Sequence, residues 1–142
     1  MKKCLIGCSM LLVLASSCKK DQDEMPAVTK ENLAGTYTPG TVMLKLGAAP
    51  EADVTNDYVE PCMKDDMMSL NVDLTYAYSD AGTKCSAAGD ESGTWALPNA
   101  SSITIDGETF TIVKYDGKVL QVSQTDTYMG QAATLTLTWN KK

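Results

Sequence analysis

The chain has 142 residues, with 18 Asp and Glu against 12 Lys and Arg and a formal net charge of −6 at pH 7. Every basic residue is lysine, and histidine is absent. An acidic chain without arginine is ill suited to nucleic acid, where affinity rests on neutralising phosphates and on bidentate arginine contacts. Without histidine, Ser-His-Asp and Cys-His catalytic arrangements and His-bearing zinc sites are excluded.

Met1-Lys2-Lys3 is a short positive segment, residues 5–14 are mostly apolar, and Ala15-Ser16-Ser17 is a run of small residues. Ten residues fall far short of the about 20 needed to span a hydrocarbon core. Residues 1–17 therefore read as a secretory signal peptide. A signal ending in small residues before a cysteine resembles the bacterial lipobox, in which the cysteine is lipidated and becomes the new N-terminus. Leu5-Ile6-Gly7-Cys8 fits the lipobox letters better than Ala15-Ser16-Ser17-Cys18 does. Cleavage there would leave only residues 4–7 as the apolar segment, below the about 7–15 expected of one. Cys18 is the predicted lipid acceptor, and through it the chain's predicted partner is a membrane.

Residues 18–32 are polar and lack periodicity, so they read as a flexible tether; such a segment buries too little apolar surface to order itself. At about 3.3 Å per residue its reach is at most about 45 Å. The cluster Asp21, Asp23 and Glu24 resembles the export signal of surface lipoproteins in Gram-negative gut anaerobes. That resemblance implies an outer-membrane lipoprotein exposed at the cell surface, the alternative being one that faces the periplasm.

Loss of residues 1–17 removes Lys2 and Lys3 and takes the net charge to −8. It leaves 125 residues, enough for one domain with its own core. It also resolves the odd cysteine count. Cys4 and Cys8 leave with the signal and Cys18 carries lipid, so Cys62 and Cys85 remain as an even pair in an oxidising compartment. They are predicted to form one disulfide.

From residue 33 onward the pattern has a period of two. Val42, Leu44 and Leu46 share a face, as do Met68, Leu70 and Val72, and Leu74, Tyr76 and Tyr78. Trp95 alternates with Leu97, Ile103 with Ile105, Phe110 with Ile112, and Leu120 with Val122. The clearest alternation is the last, with Leu135, Leu137 and Trp139 against Thr134, Thr136 and Thr138. Asp106-Gly107 and Asp116-Gly117 stand between strand-like runs and supply the positive φ of tight hairpins. Residues 48–61 have the least strand character and are expected to hold a single helical turn. Eight or nine antiparallel strands in so short a chain are best protected by closing into a barrel, with a two-sheet sandwich as the alternative.

Two short motifs carry a resemblance. Leu33-Ala34-Gly35-Thr36-Tyr37 opens the first strand, and Gly93-Thr94-Trp95 repeats the Gly-Thr-aromatic pattern midway. Between them lie Cys62 and Asp65-Asp66, then two strands and Cys85. This order resembles the lipocalin-like domains of small lipoproteins from Gram-negative gut bacteria, over residues 32–142. Tyr37 stands where lipocalins usually carry tryptophan, and the chain has no arginine to pack over it. The resemblance implies an up-and-down β-barrel of about eight strands over residues 33–142, with a mouth at one end.

The residues offer little for catalysis. Asp65-Asp66 is the one carboxylate pair of interest, yet adjacent strand residues point to opposite faces, so the pair does not converge on a substrate. It reads as a turn held by aspartate side chains next to the disulfide. No nucleophile-and-base pair, phosphate loop, cofactor motif or metal cluster is legible, and the protein is expected not to be an enzyme. The leading expectation is a lipid-anchored binding protein whose barrel holds a small apolar or amphipathic molecule. Its contacts are expected among Met68, Leu70, Tyr76, Tyr78, Trp95, Phe110, Leu137 and Trp139. The alternative is a barrel with a filled core that acts through its outer surface on a protein partner the sequence does not identify. An eight-stranded barrel lies at the size where either outcome is open.

Overall fold

The strongest alternation in the chain becomes the strand that closes the barrel. The computed structural model describes residues 25–86 and 89–142; the predicted signal peptide and Cys18 lie outside the described residues. Nine strands follow one another: β1 Gly35–Leu46, β2 Ala52–Asp53, β3 Met67–Leu70, β4 Thr75–Ser79, β5 Glu91–Asn99, β6 Ser102–Ile105, β7 Glu108–Tyr115, β8 Val119–Tyr128 and β9 Gln131–Lys141. From β3 to β9 each strand pairs antiparallel with the next, and β1 pairs with both β3 and β9. The result is a closed eight-stranded antiparallel barrel, with β2 added beside β1. β1 and β9 share eight paired positions, which leaves no open seam for a sandwich.

β1 and β7 each contain a register shift that sequence parity does not show. Tyr37 and Val42 lie five residues apart, so strict alternation would put them on opposite faces. The shift between Pro39 and Val42 turns both inward, and both are buried. A second shift between Ile112 and Lys114 buries Tyr115 and leaves Val113 exposed.

Asp106-Gly107 has positive φ at both positions (51° and 86°), as a two-residue hairpin requires. Met129-Gly130 does the same between β8 and β9 (50° and 78°). Asp116-Gly117 forms a different turn: only Gly117 has positive φ, and Asp116 Oδ1 accepts from the amides of Lys118 and Val119. The apolar alternation through Val72 and Leu74 does not extend the strands. Pairing stops at Leu70 and resumes at Thr75, and both residues are exposed in the turn between.

Strand directions define two ends. The β6–β7 and β8–β9 hairpins lie at one, and the start of β1 and the end of β9 at the other. The second end is closed by helix α1, Lys30–Leu33, whose first turn is capped by Thr29 Oγ1 accepting from the amide of Asn32. Leu33 is fully buried, and Val28 also packs on the core. Val28 and the Lys30–Leu33 helix thus form part of the packed end of the barrel. Above α1 the barrel is filled by Tyr37, Leu70, Tyr76, Trp95, Ile103, Tyr115, Leu120 and Val122. Three polar tips in this core are hydrogen-bonded: Tyr37 donates to the Leu33 carbonyl at 2.5 Å, Tyr115 to the Asn32 carbonyl, and Trp95 Nε1 to the Asn71 carbonyl at 2.8 Å.

The Gly-Thr-aromatic motifs have a packing reason. A Cβ on Gly93 would stand 2.6 Å from the Tyr76 ring, and one on Gly35 would collide with the stem of Lys141. Each glycine lets a side chain from the neighbouring strand lie across the backbone.

Candidate functional site: the open end of the barrel

β1, β8 and β9 are the longest strands, and their inward rows trace the barrel from floor to rim. Trp139 is paired with Leu120 and Pro39, and Leu137 with Val122 and Val42. Higher up, Leu135 stands between Gln124 and Leu44, and Ala133 between Asp126 and Leu46. The inward face therefore changes along the axis from fully apolar to apolar with amide and carboxylate groups.

Three adjoining hollows occupy this end. The first encloses about 520 Å³ over Leu44, Leu46, Ala133 and Leu135, with Tyr58, Gln124, Asp126 and Tyr128 around it. The second, about 300 Å³, lies among Met68, Ile105, Phe110 and Trp139, with Asp106 and Glu108 beside it. The third, about 190 Å³, is lined by Val42, Val59, Met63, Tyr78, Leu137 and Trp139, among others. Tyr58 borders the first and third, and Trp139 the second and third.

The segment between β1 and β3 forms one wall of this mouth. β3 pairs with β1 only at Gly35, Thr36 and Tyr37, and higher up β2 takes its place at Met43 and Leu44. The segment contains helix α2, Thr55–Tyr58, and a 3₁₀ turn, Pro61–Met63. It is pinned to β1 through Thr55, whose Oγ1 accepts from the Val42 amide at 2.9 Å and donates to Asp53 Oδ1 at 2.6 Å. Hydrogen bonds from the Thr55 hydroxyl and amide hold the Asp53 carboxyl below its ordinary range. Val59 is buried beneath the segment.

Its far end is tied by the expected disulfide, Cys62–Cys85, with Cα atoms 5.4 Å apart. The Asp65-Asp66 pair sits beside that bond, its two members facing apart. Asp66 is buried and accepts from the Tyr78 hydroxyl and, at 3.0 Å, from the Ala81 amide. Burial first, and then the Asp66 carboxylate, push the Tyr78 phenol far above its ordinary value. Asp65 is exposed and accepts from the Thr83 amide at 3.3 Å. The buried Asp80 accepts from the amides of Cys85 and Ser86 at 3.1 and 3.2 Å. Oxygens of Asp66 and Asp80 approach the Cys85 sulfur, but that sulfur is engaged in the disulfide and is not a thiolate ligand. These aspartates fasten the β4–β5 loop.

The eight residues expected to contact a ligand divide by depth. Leu70, Tyr76 and Trp95 belong to the packed closed half. Met68, Phe110 and Trp139 line the second hollow, and Tyr78, Leu137 and Trp139 the third. Apart from Tyr128, whose apolar body and polar tip suit a pocket mouth, the first hollow is lined by residues the sequence reading did not single out for this role: Leu44, Leu46, Tyr58, Gln124, Asp126, Ala133 and Leu135. The signal available for them was the continuation of the β8 alternation beyond Val122 into Gln124, Asp126 and Tyr128. This arrangement suits an apolar chain laid on the floor with a polar group at the rim.

Comparison with protein-family models and with curated proteins gives no match for this chain.

Proposed function

We propose that this protein is a lipid-anchored binding protein of the bacterial envelope that holds a small apolar or amphipathic molecule in the open half of its barrel. The observation that carries this reading is the set of adjoining hollows inside the open half, one of them about 520 Å³ over an apolar floor, above a filled closed half. That volume lies within the about 300–1,000 Å³ usual for small-molecule sites. Burial of an alkyl ligand there would contribute about 0.8 kcal/mol per methylene. No catalytic role is assigned; the chemistry at the mouth is that of retention.

The anchor and the mouth are compatible in this reading. The described chain begins at Met25, beside the closed end, where Pro26 approaches Gly117 of the β7–β8 turn. Lipid on Cys18 would hold Met25 within about 25 Å of the bilayer, at about 3.3 Å per residue. The closed end then faces the membrane and the mouth faces away from it, toward whatever delivers or receives the ligand.

The test is extraction of the protein purified from its own membranes, followed by mass spectrometry of both fractions. The expected result is a diacylglyceryl-modified N-terminal Cys18 and a stoichiometric apolar molecule that Leu135→Arg releases. An empty barrel that also fails to take up an apolar fluorophore would overturn the carrier reading. It would favour the alternative of a barrel acting through its outer surface, which the filled closed half equally allows.

A further inference from the structure

Charge is divided unequally between the two ends of the barrel. Of the side chains in residues 25–142, twelve of the fifteen carboxylates belong to the open end, against three of the eight lysines. Among the described residues, no lysine lines any of the three hollows at the mouth. The ion pairs among the described residues are Lys30–Glu31, Lys84–Asp90 and Lys114–Asp116, none involving Asp126, Asp106 or Glu108. A low-dielectric cleft lined by one sign of charge focuses its field on ligands of the opposite sign.

The hollow over Leu44 and Leu135 adds two rings to its carboxylate. Tyr58 and Tyr128 border the same space as Asp126, above the floor of Leu44 and Leu135. Aromatic faces attract ammonium groups at exposed sites as well, and here Tyr58 and Tyr128 are about half exposed, at 50% and 57%. A carboxylate and two tyrosines over an aliphatic floor form a matched set. The floor takes an alkyl chain, and the rim takes a cation that is bulky and weakly hydrated.

Building on the carrier reading, we propose that the mouth selects amphiphiles with a cationic head, an alkylammonium group held at Asp126 between Tyr58 and Tyr128. Its tail lies along Leu44, Leu46 and Leu135. Fatty acids and other anionic amphiphiles are disfavoured by the same carboxylates, because a like charge at the rim meets no compensating lysine there.

The experiment compares three probes with one twelve-carbon tail: dodecyltrimethylammonium, dodecyl maltoside and dodecanoate, each below its micelle concentration. Binding to the full chain is followed by calorimetry and by the fluorescence of Trp139, which borders two of the hollows. The expected result is binding of the ammonium about tenfold tighter than of the other two at low salt, narrowing as ionic strength rises. Asp126→Asn should remove most of that preference while leaving maltoside binding unchanged. Glu31→Gln, the same charge change at the closed end, should leave the preference intact. Equal affinity for all three heads, or a cation preference that persists in Asp126→Asn, would overturn this inference and leave the carrier reading standing. Binding of none of the three would overturn both.

Discussion

Lys141 holds its ammonium 5.8 Å from the centre of the Tyr37 ring, joining the end of β9 to the start of β1 at a position where the two residues are paired in register. The same nitrogen lies 5.9 Å from the centre of the Tyr115 ring and donates to the Asn32 carbonyl at 2.5 Å. The chain has no arginine, and Lys141 supplies the cation over the aromatic of the first strand. One side chain thereby ties both strands of the barrel's closing seam to the helix that plugs it.

Removing that cation should be costly. Lys141→Met keeps a flexible apolar stem over Gly35 but loses the charge–ring contacts and the bond to Asn32. A loss of about 1 kcal/mol is expected, because desolvation of the ammonium offsets part of a cation–ring attraction of about 0.5–2 kcal/mol and a charged hydrogen bond. Lys141→Arg should lose little. Urea unfolding of the three proteins decides; a methionine variant as stable as the parent would refute the role.

Alkaline pH should destabilise the fold. Burial raises Tyr37, Tyr76, Tyr78 and Tyr115 above their ordinary value of 10.0. The unfolded chain releases these protons near pH 10 and the folded chain only later, so above that point the unfolded state binds fewer protons and stability falls as pH rises. Lys141, lowered by desolvation, acts in the opposite sense: its folded form sheds its proton first, which favours folding up to about 10.5. With four groups against one, a net decline above about pH 10 is expected. Melting temperature against pH should show it, with tyrosinate absorbance from these four appearing together with unfolding. The decline should be shallower in Tyr37→Phe; an identical slope would remove Tyr37 from the account.

The two neighbouring aspartates should differ sharply. Asp66→Ala strands the Tyr78 hydroxyl and the Ala81 amide, and one unsatisfied buried donor costs about 1–3 kcal/mol. Asp65→Ala, at an exposed site, should stay within about 0.5 kcal/mol of the parent. Thermal unfolding of the two variants side by side separates them. Equal effects would mean that Asp66 is not the fastening of the β4–β5 loop.

Opening the disulfide should cost about 3 kcal/mol, the chain-entropy figure for a loop of this length. The double variant Cys62→Ser, Cys85→Ser should melt well below the parent while keeping its β-sheet circular dichroism. An unchanged melting temperature would show that the aspartate bonds alone secure the loop.

Much of the barrel was legible because alternation reports which side of a strand faces in. The Leu135, Leu137 and Trp139 row gave β9 its inward face, and Asp106-Gly107 gave a hairpin. Met129-Gly130 was harder to read as a tight turn, since methionine seldom takes positive φ. The shift in β1 was not legible at all: Tyr37 and Val42 have opposite parity, and only the pairing with β9 brings both inside. The site was half legible for a related reason. Alternation says that Trp95 and Trp139 both point inward, but it carries no depth along the axis. One proved to be packing and the other lining. At the rim, inward Gln124 and Asp126 read like solvent positions, because water reaches that part of the interior.

The depth gradient in the barrel separates two kinds of tolerance to change. The residues that weld the chain shut, Leu33, Tyr37, Trp95, Tyr115 and Lys141, are grouped at one end, and those that line the hollows are grouped at the other. Substitutions at Leu44, Asp126 or Leu135 reshape the receptacle while leaving the weld untouched. The interior at the mouth is therefore free to change shape without the chain relearning how to fold.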